Sequence, residues 1–238
     1  MPAFFTSLTP MKLVDFDYEA FFTHIEETVG GLSFFSKWKK FWINFFQEQD
    51  QQILDFIKEH PGSNPIMERL KRPNVPSRFN YESFVYEYIT PGGSFYLHFD
   101  VEKIKVVQHQ YLHKVTIPIE DIPIGNIYID PTTPIVENKL TDQRLPYLTK
   151  IYGSDKPFIC VDGNHRIQSK IKNSEVQNIK AYIFSDDHWD FMFFLKCDVY
   201  FMALTKELQS MAFLLNQKGT EQDILEVTQM YLQQASNS

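Results

Sequence analysis

The stretch "FICVDGNHRIQSKIK", Phe158 to Lys172, decides how this sequence is read. Phe158, Ile159, Cys160 and Val161 form a short apolar run, the pattern of a strand buried on both faces. Asp162, Gly163, Asn164, His165 and Arg166 follow without a gap, and a short helix-like run begins after them. Strand, Asp-Gly, then helix is a physical recipe for an anion site. The first amides of a helix have no partners inside it. They lie at the positive end of the macrodipole, worth about half an elementary charge. Gly163 lets the chain turn sharply or lets a phosphate approach the backbone. His165 and Arg166 add two donors, the guanidinium permanently charged and forked. Asp162 repels a phosphate, so it needs a second duty: holding Arg166 or His165, orienting a hydroxyl, or helping to hold magnesium. Asp-Gly and Gly-Asn are also ordinary turn chemistry. Spacing alone therefore leaves open a plain loop with a packed histidine and a solvated arginine.

Working outward, "NIKAYIF" downstream reads as another strand, and "HKVTIPIEDIPIGNIYID" upstream as short β-rich pieces broken by Pro118, Pro123 and Gly125. "NKLTDQRLPYLTKIYG" between them reads as a helix interrupted near Pro146, or as two short pieces. "FVYEYITPGGSFYLHFDV" is a hairpin pattern with its turn at Pro91-Gly92-Gly93. Before it, "HPGSNPIMERLKRPNVPSRFN" is a loop by composition and carries Arg69, Lys71, Arg72 and Arg78. The N-terminal third is helical: one helix over 15–29 capped by Asp15 or Asp17, then a longer one with Phe34, Trp38, Phe41, Trp42 and Phe45 at three- and four-residue spacing. Basic, aromatic helices also lie on membrane surfaces. Here acidic residues follow, and an aromatic stripe is ordinarily core. "SDDHWDFMFFLKCDVYFMALTKELQSMAFLLNQ" reads as one long helix from an N-cap at Ser185, its acids favoured by the helix dipole. Thr220 with Asp223 begins a last amphipathic helix. His109 and His113 have the spacing of a metal pair on a helix face, with no third ligand in view.

The bulk numbers fit a soluble cytoplasmic protein. The chain has 238 residues, 43% hydrophobic and 22% charged, enough for one sizeable domain or two small ones. A net charge of -7 argues against a sequence-blind grip on DNA, which wants a basic face. The two cysteines, Cys160 and Cys197, sit in apolar runs and suit a reducing compartment. No signal peptide or long apolar span is visible, so no membrane is expected.

"VDGNHRIQSK" resembles the signature of the ParB/sulfiredoxin superfamily, a Gly-x-x-Arg segment where a strand meets a helix. "VTIPIEDI" is similar to the opening of such domains, and "IKAYIF" stands where the family places its next strand. The resemblance covers about residues 113 to 185. It implies nucleotide binding, since the superfamily includes chromosome-partitioning CTP-binding proteins, sulfiredoxin, a free-serine kinase and some nucleases. The catalytic cysteine of sulfiredoxin is replaced here by Asn164, so reductase chemistry is not expected. The His165-Arg166 pair is closer to the sulfiredoxin and serine-kinase branches, which bind ATP or ADP. By that resemblance Gly163, Asn164, His165 and Arg166 would form the phosphate site. Glu137, in "TTPIVENK", stands roughly where the kinase branch carries its general base, and Asp162 is the other catalytic candidate and the candidate magnesium ligand.

The reading is therefore an α+β fold: a small mixed sheet of ParB/sulfiredoxin type with N-terminal helices plus a hairpin and C-terminal helices. Its expected divisions are an N-terminal helical and hairpin segment over 1–103, a nucleotide-binding core over 104–185, and C-terminal helices over 186–238 packing on that core. The expected function is ATP- or ADP-dependent phosphotransfer or nucleotide hydrolysis with Mg2+, acting on a small-molecule or protein acceptor. The alternatives are a ParB-like DNA-binding or nuclease protein, and a non-catalytic interaction module of a toxin, phage or plasmid system.

Overall fold

The computed structural model describes residues 4–5, 13–61, 83–110, 117–136, 141–173, 176–229 and 231. Its helices and strands make an α+β fold with a small mixed sheet, as the sequence predicts. The chain divides into two compact units: Met1–Tyr81, Val85–His98 and Phe194–Ser238 form the first, and Glu82–Phe84 with Phe99–Phe193 the second. N- and C-terminal segments cluster together in the first unit, because their aromatic faces bury one another.

In the first unit, helix α1 (Tyr18–Val29) starts where Asp17 accepts a hydrogen bond from Ala20 N at 2.9 Å. Helix α2 (Phe35–Glu59) buries Trp38, Trp42, Phe46 and Ile53 along one stripe. That stripe packs in the protein's own core: Phe22 lies edge-on to Trp38 with centroids 5.7 Å apart, and Tyr18 stacks on Phe46 at 5.4 Å. Strands β1 (Phe4–Phe5) and β2 (Leu13–Val14) pair antiparallel, and strands β3 (Ser83–Thr90) and β4 (Gly93–Asp100), of which Val85–His98 belong to this unit, form the hairpin around Pro91 and Gly92. Gly92 is required there, since a Cβ would lie 2.4 Å from Asp17 O.

The long C-terminal helix expected from Ser185 is broken. Ser185 opens only a short 3-10 turn, helix α5 covers Trp189–Met192, and helix α6 (Lys196–Asn216) starts afresh. Phe193 is extended because it bridges to Phe99, their rings 4.6 Å apart. Helix α7 (Glu221–Glu226) begins with the Thr220–Asp223 capping box. No described helix is long and apolar enough to cross a membrane.

Acids are buried among the first unit's rings. Glu207 accepts from both indoles, Trp38 at 2.9 Å and Trp42 at 3.2 Å, and Asp50 accepts from the Tyr18 hydroxyl at 3.0 Å. Asp198 accepts from His98 N at 3.1 Å, with the imidazole Nδ1 at 3.5 Å. Burial pushes the Asp198 carboxyl up, opposed by His98. A carboxyl raised in the folded state favours folding at acid pH, and that contribution is lost as pH rises through its folded value. Asp198→Asn keeps an acceptor for His98 N without the charge. Its stability relative to the native protein is expected to improve from pH 4 to pH 7 in urea titrations. A pH-independent difference would show that the Asp198 charge is fully compensated.

The second unit is built on a sheet of five strands: β5 (Ile119–Pro123), β6 (Ile127–Tyr128), β7 (Tyr147–Lys150), β8 (Phe158–Asp162) and β9 (Asn178–Phe184). Their order is β5-β9-β7-β8-β6, with β5/β9 and β7/β8 antiparallel and the other neighbours parallel. The stretch expected as a helix interrupted near Pro146, or as two short pieces, is thus strand β7 after Pro146. Flanked on both sides by hydrogen-bonding strands, Tyr147, Leu148 and Thr149 are buried, and pairing outweighs local helical preference. Helix α3 (Val101–Gln110) and helix α4 (Asn164–Asn173) complete the elements used below. Ile167 of α4 joins Ile122, Ile127, Leu148, Cys160, Ile179, Ala181 and Ile183 in the core, which seats α4 against the sheet.

Candidate functional site

Strand β8 runs inside the sheet between β7 and β6, with Ile159, Cys160 and Val161 buried, and it delivers Asp162 to the edge of the core. Gly163 then adopts φ +107°, outside the reach of ordinary L residues, and α4 starts at Asn164. Gly163 is also enclosed. A Cβ there would lie 2.7 Å from Pro146 Cβ and 2.8 Å from Arg166 Nη2. The glycine thus makes room for the guanidinium of Arg166, which folds back under the turn.

Arg166 is 6% exposed, and its Nη2 donates to Asp162 Oδ2 at 2.9 Å. Its Nε is buried with no hydrogen-bond partner. An unsatisfied buried donor typically costs about 1–3 kcal/mol, more when charged. Lys105 Nζ lies 4.0 Å from Asp162 Oδ1. It arrives there because Asp100 accepts from Lys103 N at 2.9 Å to close the first turn of α3, and because Val101 and Ile104 are fully buried on that turn.

Asn164 and His165 both reach across to the segment after β6. Asn164 Nδ2 donates to Cys160 O at 2.9 Å, and its Oδ1 accepts from Asp130 N at 3.0 Å. His165 Nδ1 lies 2.8 Å from Pro134 O. A carbonyl only accepts, so Nδ1 carries the proton and Nε2 is the ring nitrogen that can meet a ligand. Gln168 donates to Asp130 O at 2.9 Å and Ser169 to Val136 O at 3.1 Å. One face of α4 therefore straps residues 130–136 in place. Glu137, the candidate base, lies outside the described residues, as do the side chains of His109 and His113 and the basic stretch from Arg69 to Arg78.

These elements enclose a cleft of about 300 Å³ beyond the C-terminal ends of the parallel strands β6 and β8. Lys105, Asp130, Thr133, Arg144, Asp162, Gly163, Asn164, His165 and Arg166 line it. A second hollow of about 210 Å³ shares Lys105, Arg144, Asp162 and Arg166 and adds Leu145, Tyr147 and Tyr182. The two tyrosine rings lie 5.5 Å apart. Burial, then the charge of Asp162, pushes the Tyr147 hydroxyl up to about 12, so it stays a neutral donor. Burial also raises the Cys160 thiol, which leaves it inert as a nucleophile.

Lys105 and Arg144 escape a reading of the sequence because they come from segments distant from the motif. The only available sign of Arg144 is its place three residues before the apolar run of β7. Among the described residues, no group of three His, Cys, Asp or Glu side chains is placed to hold a metal ion. The Asp162 carboxylate already faces two cations, so the site does not fit a divalent metal held by the protein itself. Compared with known proteins, the chain matches no protein-family model, no curated protein and no solved structure.

Proposed function

We propose that the protein is a nucleotide-binding enzyme that grips the phosphates of ATP or ADP at the 162–166 turn and transfers or hydrolyses a phosphoryl group. The observation that carries this reading is Arg166. A buried guanidinium with an orphan Nε sits at the N-terminal end of α4 in a cleft shared with Lys105 and Arg144. Phosphoryl transfer depends mostly on positioning and on neutralising charge at the phosphate oxygens. Three cations and the helix amides supply the second. The tyrosine-lined hollow favours a phosphate ester with an aromatic base over bare phosphate. Magnesium enters as the nucleotide's own counter-ion, which leaves coordination to the phosphates and water. The acceptor is a small molecule or a protein group.

The test is a thermal-shift panel of ATP, ADP, CTP, GTP and inorganic triphosphate, each with and without magnesium. A ligand at 100 times its dissociation constant stabilises the fold by about 2.7 kcal/mol. No shift with any of them removes the proposal. Glu137→Gln is expected to leave that binding intact while lowering release of ADP or phosphate roughly 100-fold, the scale of a lost general base. Unchanged turnover takes Glu137 out of the mechanism.

A non-catalytic binding module is the second reading, and one observation favours it. Both described carboxylates of the cleft are engaged, Asp162 by Arg166 and Asp130 by Thr132, whose hydroxyl donates at 2.7 Å. Nucleotide binding without turnover in the native protein selects this reading.

A further inference from the structure

Arg144 is the cleft cation that differs from the others. Its side chain is 70% exposed, whereas that of Arg166 is 8% exposed. It is folded onto Asp142, two residues earlier. Nη2 donates to Asp142 Oδ2 at 2.6 Å, Nε to Oδ1 at 3.0 Å, and the Arg144 amide to the same Oδ1 at 3.1 Å. These bonds hold the Asp142 carboxyl well below the usual carboxylate range and raise Arg144. Yet Arg144 lines both hollows beside Asp162 and Arg166. The carboxylate is the sheltered partner, its side chain 12% exposed, whereas the guanidinium faces solvent, where water and dissolved anions compete for it and weaken the pair. A guanidinium in that state exchanges one oxyanion for another without itself leaving a buried position.

We propose that Arg144 is a phosphate-binding residue of this cleft and that Asp142 is its competitor: the Asp142–Arg144 pair is a latch that a phosphate-type oxyanion opens by taking the guanidinium from the carboxylate. The inference rests on the reading that the cleft takes phosphates. Arg166 and the α4 amides then form the fixed part of the site, and Arg144 the movable part. Because the Asp142 carboxyl is held low, neutral pH does not open the latch; a competing anion does. The fork suits the task, since one guanidinium addresses two oxygens of a carboxylate or of a phosphate with the same donors.

The experiment is calorimetric titration of inorganic triphosphate into the full chain and into Asp142→Asn, Arg144→Gln and the double variant. Asp142→Asn is expected to bind roughly fivefold more tightly, the scale of a released ion pair whose guanidinium faces solvent. Arg144→Gln is expected to bind more weakly, and Asp142→Asn is expected to add nothing in the Arg144→Gln background. A gain of equal size in both backgrounds overturns the latch, because it reports only the removal of a negative charge. So does unchanged or weaker binding in Asp142→Asn. Binding in Asp142→Asn with none detected in the native protein supports the latch, and absence of binding in both overturns it together with the phosphate reading. A cleft that binds triphosphate in every variant with equal affinity keeps that reading and removes Arg144 from it.

Discussion

Gly163→Ala is expected to cost the protein about 3 kcal/mol of stability, combining backbone strain at positive φ with a steric clash. The residue sits at φ +107°, a conformation that L side chains rarely adopt. The added methyl would meet Pro146 Cβ at 2.7 Å and Arg166 Nη2 at 2.8 Å. Pro146 is buried just before β7, whose first residue pairs with Asp162, so it cannot step aside cheaply. Moving the guanidinium instead breaks its 2.9 Å bond to Asp162. Either route damages the turn. Urea denaturation measures the cost, and a loss below about 1 kcal/mol would mean that the turn is not built this way.

Arg166→Ala is expected to weaken phosphate or nucleotide binding more than tenfold, from the loss of a charge-assisted donor worth more than about 1.5 kcal/mol. It also takes from Asp162 its directly hydrogen-bonded cation, leaving Lys105 at 4.0 Å, so the carboxylate repels the ligand more strongly. Arg166→Lys restores the charge but neither the fork nor the reach to Asp162, so it is expected to recover only part of the affinity. Calorimetry on both variants checks this. Equal affinity in Arg166→Ala and the native protein would place the ligand elsewhere.

The parts that were readable beforehand are those whose cause is local. The strand-turn-helix over 158–173 follows from an apolar run, an Asp-Gly pair and a periodic run. The Thr220–Asp223 box and the hairpin turn at Pro91-Gly92 likewise rest on a few adjacent residues. The misread parts have distant causes. Tyr147–Lys150 is a strand because β8 and β9 flank it, and nothing within those four residues outweighs the helix-like run before Pro146. The break between α5 and α6 comes from Phe99, nearly a hundred residues upstream of Phe193.

The same division holds in the site. The 162–166 residues stand out in the sequence, but their division of labour does not. Asn164 and His165 hold the 130–136 segment through partners more than thirty residues away, while Arg166 reaches back to Asp162. The buried acids of the first unit are a further case. Asp50 and Glu207 interrupt aromatic faces, and only the fold reveals the hydroxyl and indoles that satisfy them.

The central claim is that phosphates bind at the N-terminal end of α4. Its most direct test is titration of ATP into isotope-labelled protein followed by backbone and arginine side-chain NMR. The account predicts that the largest and saturable shifts fall on the amides of Asn164, His165 and Arg166 and on Arg166 Nε, with Lys105 and Arg144 next. Saturable shifts confined to the first unit, or no saturable shift at millimolar ATP, would contradict it.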